Sequence, residues 1–262
     1  MERLFIVKIG GNVVDNPASL KQFLETFAGM SQPRMLIHGG GKIATRIGEQ
    51  LGIQSHYVNG RRITDAATRD LVTMVYGGLV NKQIVAALQG LGCNALGLTG
   101  ADGNVIQAVK RPVRDIDYGF VGDIHAGNVK PGLITALLAE GVVPVFAPLT
   151  HASGAMLNTN ADTIASVLAV ALSSYYKVRL VYCFEKKGVL EDVNNPQSVI
   201  HHLPRKLYGE LLAKKALADG ILPKLENAYA AIDSGVSEVL IGDADDLAKN
   251  TGEKTEGTLI TN

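Results

Sequence analysis

The chain alternates short apolar runs with longer stretches in which apolar residues recur every three or four positions. The first run, Phe5-Ile6-Val7-Lys8-Ile9, passes directly into Gly10-Gly11-Asn12. A β-rich run that stops at glycine predicts a buried strand whose backbone then turns or approaches something closely. Leu20, Phe23, Leu24 and Phe27 share one face of a helix opened by Asn16-Pro17. Arg34-Met35-Leu36-Ile37-His38 predicts a second strand, which ends in Gly39-Gly40-Gly41 before helical patterning over 43–51. Helices are expected over 66–80 and 82–91, and a third strand over 94–98. Residues 104–130, rich in glycine and aspartate, predict a β-hairpin excursion. Beyond it the pattern gives a helix over 133–140 closed by Gly141, a strand over 142–147, a helix over 158–172 and a strand over 178–184. Helices near 204–218 and 224–234 and a final strand over 238–241 complete the reading.

This alternation predicts an α/β protein, a three-layer α/β/α sandwich with a central, mainly parallel sheet. Neither a low-complexity linker nor an internal repeat interrupts it. Residues 1–262 therefore read as a single domain, with two lobes rather than two independent units.

Apolar residues make up 47% of the 262 and charged residues 19%, enough for a large core and too apolar for disorder. Lysine plus arginine equals aspartate plus glutamate at 25 each, tryptophan is absent and aromatics are few. Nothing here favours nucleic acid or an anionic membrane as partner. Cys93 and Cys183 lie far apart without metal-ligand spacing, so they read as buried thiols in a reducing compartment. No cleavable leader pattern and no uninterrupted apolar run of bilayer length is read. The expectation is a cytoplasmic protein.

The chemistry sits where strands end. In parallel sheets ligands bind at the carboxyl ends of strands, against helix N-termini. Lys8 either snorkels from its strand or faces an anion, with Gly10 and Gly11 offering N–H groups beside it. Gly39-Gly40-Gly41-Lys42-Ile43-Ala44 satisfies the loose dinucleotide pattern, but the acidic partner expected about 20 residues on is not convincingly placed, and no Walker-type loop is present. Two glycine loops and a strand lysine suit a polyanion lying across both, the arrangement phosphoryl transfer needs. Asn158-Thr159-Asn160-Ala161-Asp162 carries more polar groups than one helix cap requires. Lys224 stands at a helix start, where the dipole disfavours a cation unless an anion compensates. Arg62 could fork onto a carboxylate or lie solvated. His201 and His202 read as an exposed pair with no third metal ligand, and His38 as a loop-fixing hydrogen bonder.

Lys8-Ile9-Gly10-Gly11, His38-Gly39-Gly40-Gly41, the loop from Asn59-Gly60 to Arg62 and Thr64-Asp65, Asn158-Thr159-Asn160-Ala161-Asp162, Gly220-Ile221-Leu222-Pro223-Lys224 and Gly257-Thr258-Leu259-Ile260 together resemble the amino acid kinase family. Within it they are most similar to the members that phosphorylate N-acylglutamates. The resemblance implies transfer of a phosphoryl group from ATP to the side-chain carboxylate of N-acetyl- or N-succinyl-L-glutamate, in arginine biosynthesis, with Mg2+ bridging the ATP phosphates.

It also implies roles. Lys8 and Lys224 would flank the transferring group, and Asp162 would hold both lysines. Gly40, Gly41, Arg62 and Asn158 would bind the substrate, and Gly10, Gly11, Glu185 and Gly188 the nucleotide; no protein-held metal is implied. The N-lobe, about 1–175, would take the acyl amino acid, and the C-lobe, about 176–262, the nucleotide. Cys183-Phe184-Glu185 departs from the family's small polar residue followed by aspartate, which bears on the nucleotide pocket; Ala101 stands where lysine is frequent near the acyl end, so the acyl group stays open. Only Met1 to Leu4 precede the first strand, where arginine-inhibited members carry an extra helix; a homodimer insensitive to arginine is expected. An N-blocked aminoadipate kinase and a catalytically dead sensor of the amino acid derivative remain as alternatives.

Overall fold

The computed structural model describes residues 1–262 apart from 193, 215–216 and 218–220. Its strands in chain order are β1 (Arg3–Ile9), β2 (Arg34–His38), β3 (Tyr57–Val58), β4 (Arg61–Arg62), β5 (Ala95–Leu98), β6 (Val109–Lys110) and β7 (Gly122–Asp123). There follow β8 (Val143–Phe146), β9 (Leu149–Ala152), β10 (Ala155–Asn158), β11 (Lys177–Phe184), β12 (His202–Pro204), β13 (Glu238–Asp243) and β14 (Thr258–Thr261). One eight-stranded sheet has the order β12-β14-β13-β11-β1-β2-β8-β5. All neighbours from β13 to β5 are parallel, β14 runs antiparallel to β13, and β12 pairs parallel with β14.

β1 lies inside the sheet, with Lys8 opposite Tyr182 of β11 and Ile37 of β2. Successive strand side chains take opposite faces. Phe5, Val7 and Ile9 enter a core with Leu36, Val181 and Cys183, beneath the helices Pro17–Ala28 and Gly41–Gln50. Leu4 and Ile6 enter the opposite core with Met35, Ile37, Leu180 and Tyr182, covered by Ala161–Leu172 and Leu222–Asp233. The two cores make the three layers. Lys8 continues the even set and therefore faces the helix that begins at Ala161.

Several elements differ from the sequence reading. The helix expected over 158–172 begins only at Ala161, capped by the Asn160 side chain accepting from Thr163 N at 3.0 Å. Residues 149–158 instead form the β9–β10 hairpin, turned by Ser153 and Gly154 with φ of 49° and 80°. The helices expected over 66–80 and 82–91 join through a π-helical stretch, Thr73–Val80, into continuous helix from Ala66 to Gly90. That stretch is long and apolar enough by length and composition to cross a membrane, which the run-by-run reading missed. Here its Leu71, Val72, Val75, Tyr76, Val80, Ile84 and Leu88 pack into the core. β12 and β14 extend the sheet beyond β13, which had been read as the last strand. The helix near 204–218 is described over Arg205–Ala213; residues 215–216 and 218–220, Gly220 included, lie outside the described residues.

Candidate active site

Ile9 and His38 are register partners, so the two glycine loops leave the sheet side by side. They touch: a Cβ built on Gly39 would stand 3.3 Å from Gly11 N. Gly40 has φ of 152°, and a Cβ there would meet the Tyr76 ring at 3.2 Å. The loop therefore needs glycine for both conformation and space. Gly40→Ala is expected to cost about 1–3 kcal/mol of stability and to weaken binding at the loop; a thermal scan and a substrate titration read the two effects.

His38 is fully buried beneath this loop. Its Nδ1 donates to Gly39 O at 2.7 Å, and its Nε2 accepts from Asn81 Nδ2 at 3.2 Å, which also donates to Val145 O at 2.9 Å. The neutral tautomer is thereby fixed, and the loop-fixing role read from sequence holds. Burial pushes the His38 pKa down to about 4, against the opposing hydrogen bond to Gly39. The unfolded chain takes up this proton near pH 6.5 and the folded chain only near 4. Stability is thus complete above pH 6.5 and falls by about 3 kcal/mol as pH drops towards 4. Urea midpoints at pH 7 and pH 5 should differ for the native chain and differ less for His38→Gln.

Lys8 Nζ lies 2.7 Å from Asp162 Oδ1, with the lysine buried and the carboxylate more exposed. The β1 alternation and the late start of the helix at Ala161 together produce this contact. Asp162 sits in the first helical turn, where the dipole favours its charge. Lys224 lies in the first turn of Leu222–Asp233. Its Nζ stands 3.6 Å from the centroid of the Phe184 ring, while Lys8 Nζ stands 5.4 Å from the same centroid. Burial lowers the Lys224 pKa; Asp162 raises it, and Lys8 and Lys186 lower it further. Asp162 thus pairs directly with Lys8, and among the described residues it forms no ion pair with Lys224.

Arg62 is buried. Its Nη2 donates to Gly41 O at 2.8 Å and Thr45 Oγ1 at 2.9 Å, its Nη1 donates to Ser55 Oγ, and its guanidinium lies over the Tyr57 ring at 4.8 Å. Arg62 therefore braces the second glycine loop while lining the site. Asn158, at the end of β10, donates from Nδ2 to Thr64 Oγ1 at 3.1 Å. A cavity of about 590 Å3 brings Gly40, Gly41, Arg62, Asn158, Asp162 and Lys224 to one space. A second chamber of about 640 Å3 shares Arg61, Arg111, Thr159, Asn160 and Thr163 with it.

Lys8, Gly10, Gly11, Glu185 and Gly188 do not line that space; Lys8 reaches its wall through Asp162. Gly10 and Gly11 abut it through Gly39, and a Cβ on Gly10 would meet only Cys183 O, at 3.7 Å, which leaves room for a ligand. Glu185 is exposed beyond the end of β11. Gly188 is buried against β14, where a Cβ would meet Thr258 Oγ1 at 2.6 Å, so packing accounts for its lack of a side chain. Cys183, with its thiol pushed up to about 12 by burial, is inert, in line with its reading as a small hydrophobe.

Sequence reasoning gave no individual role to Phe184, Tyr182, Thr64 or Arg111. Tyr182 donates from its hydroxyl to Asp162 O at 3.3 Å, and Arg111 clamps Asp123 from Nε and Nη2 at 3.0 and 2.6 Å. Alternation along β11 could have placed Tyr182 and Phe184 on the face of Lys8. Arg111 sits in an irregular loop and carried no such signal.

Over nearly its whole length the chain is similar to acetylglutamate kinase from Phocaeicola vulgatus, 55% identical over 252 residues, covering 96% of this chain and 97% of that one. It is likewise 55% identical over 254 residues to acetylglutamate kinase from Bacteroides thetaiotaomicron, covering 97% and 98%. In fold it is similar to N-acetylglutamate synthase from Neisseria gonorrhoeae, with a TM-score of 0.81 at 22% identity, covering 99% of this chain and 59% of that one. The amino acid kinase family matches residues 3–243, a span holding both glycine loops, both lysines and Asp162. On that match and that site geometry, the chain belongs to the amino acid kinase family.

Proposed function

We propose that this chain transfers the γ-phosphoryl group of ATP to the side-chain carboxylate of N-acetyl-L-glutamate, forming the acyl phosphate in arginine biosynthesis. The observation that carries this is the Lys8–Asp162 pair, with Asp162 and Lys224 lining the same cavity as Arg62 and Asn158. Relatives named acetylglutamate kinase, at 55% identity over almost the full chain, support acetylglutamate as the substrate.

In this reading Arg62 and Asn158 bind the α-carboxylate through donors not used within the protein. Gly40 and Gly41 receive the reacting carboxylate with backbone N–H groups. That carboxylate is already ionised at neutral pH and needs no general base. Its oxygen bonds to the γ-phosphorus as the bond to ADP breaks. Lys8 and Lys224 offset the charge spread over the equatorial oxygens, and Asp162 fixes Lys8. The nucleotide lies on the Gly10–Gly11 side, with Glu185 and the Gly188 turn at its border. Magnesium, carried in with ATP, would screen the charge of its phosphates. Residues about 1–175 serve the acyl amino acid and about 176–262 the nucleotide.

Coupled ADP release with N-acetyl-L-glutamate tests this reading. Turnover that needs both ATP and the acyl amino acid is expected; binding without turnover would overturn it in favour of a sensor. We further propose a cytoplasmic homodimer. β5 is an open edge of the sheet with Leu96 exposed, which suits pairing with a second copy. Light scattering at the monomer mass would contradict this.

A further inference from the structure

We propose that Phe184 is a positioning residue for the lysine pair: its ring holds the Lys224 ammonium beside Lys8 without using any of its hydrogen-bond donors. The inference deepens the proposed function and rests on it for the meaning of the two lysines.

Phe184 is the last residue of β11, two positions beyond Tyr182 and hence on the same face of the sheet. Its ring stacks on Tyr182 with centroids 6.1 Å apart and planes 18° apart. Tyr182 in turn donates to the carbonyl of Asp162. One aromatic pair thus reaches from the start of the Asp162 helix to the start of the Lys224 helix. The two ammonium groups stand 3.6 and 5.4 Å from the centroid of the same ring.

Like charges held this close repel, and burial further disfavours the charge on Lys224. Asp162 makes its direct contact with Lys8. A second carboxylate against Lys224 would relieve the repulsion, but it would occupy the N–H groups that must meet phosphoryl oxygens. An aromatic face attracts the cation through its quadrupole and accepts no conventional hydrogen bond. Among the described residues none takes a Lys224 N–H, so these donors can meet an incoming anion. An aliphatic residue of similar size would fill the same space and provide no such attraction.

The test compares Phe184→Leu, Phe184→Met and Phe184→Tyr in the full chain. The leucine and methionine variants are expected to lower kcat about tenfold, with the KM for N-acetyl-L-glutamate and Tm little changed. Tyrosine, which keeps the ring face, is expected to restore most of kcat. A readout independent of turnover is the NMR spectrum of protein reductively methylated with 13C-formaldehyde. The Lys224 methyl signal, assigned by its loss in Lys224→Arg, should be shifted upfield by the ring in the native chain and should lose that shift in Phe184→Leu. Native kcat in the leucine variant, a fall in kcat that tracks an equal fall in Tm in both aliphatic variants, or an unshifted Lys224 signal in the native chain would each overturn the proposal. A native chain that turns nothing over yet shows the shifted signal would overturn the kinase reading and leave this placement of Lys224 standing.

Discussion

Replacing Lys8 with methionine is expected to lower kcat for N-acetyl-L-glutamate phosphorylation by about 10²–10³-fold, the usual consequence of removing one pre-aimed group from a site of developing charge. The KM for the acyl amino acid should change little, because Arg62, Asn158, Gly40 and Gly41 line the cavity and Lys8 does not. Methionine fills most of the lysine's volume, so packing beside Ile37 and Tyr182 is kept. Asp162 loses its partner but is partly exposed and can be solvated, which limits the cost in stability. Steady-state kinetics together with a thermal scan separate these effects. Unchanged kcat would remove Lys8 from the mechanism, and a large rise in KM with kcat intact would make it a binding group only.

Arg179→Met is expected to be the most damaging single change to stability, at about 3 kcal/mol. Arg179 is almost fully buried in β11 and donates from Nε to Glu238 Oε2 at 2.6 Å. From Nη1 it donates to the carbonyls of Asn250 and Gly252 at 3.2 and 2.8 Å. Asn250 Oδ1 accepts from Glu256 N and Gly257 N at 3.1 and 2.8 Å, so the same cluster shapes the approach to β14. Removing the guanidinium leaves two carbonyls without this donor and a mostly buried carboxylate with only the longer contact to Arg3 Nη2, at 3.9 Å. For a chain of this size the loss corresponds to a fall in Tm of roughly 6–12 °C. The double variant Arg179→Met, Glu238→Leu should recover part of it, since the stranded charge is gone. A midpoint unchanged in Arg179→Met would show that the network adds nothing net.

The two strands that matter most were legible because their side chains obey a period of two and their ends are marked by glycine. That periodicity places Lys8 opposite in face to Val7 and Ile9, and the glycine loops beyond it follow from the strand ends. The start of the Asp162 helix was not legible to the same degree. Asn158, Asn160 and Asp162 could all cap a helix, and only the pairing of β10 with β9 decides that Asn158 belongs to a strand. Gly188 carries a constraint that its local sequence does not show: a Cβ there would meet Thr258 Oγ1, 70 positions later in the chain. The Arg179 network escaped notice altogether, because its partners come from Glu238 and from the loop at 250–252.

The sequence by itself determined the layered α/β architecture, the two glycine loops at adjacent strand ends and the presence of two lysines suited to a phosphoryl group. Those are local matters of periodicity, backbone freedom and charge. Tertiary structure alone decided which groups meet: Asp162 with Lys8 rather than with both lysines, the Phe184 ring beneath Lys224, and Arg62 bracing Gly41 while it lines the cavity. Contacts between distant segments depend on strand order, register and helix entry, and none of these is written in the spacing of any one segment.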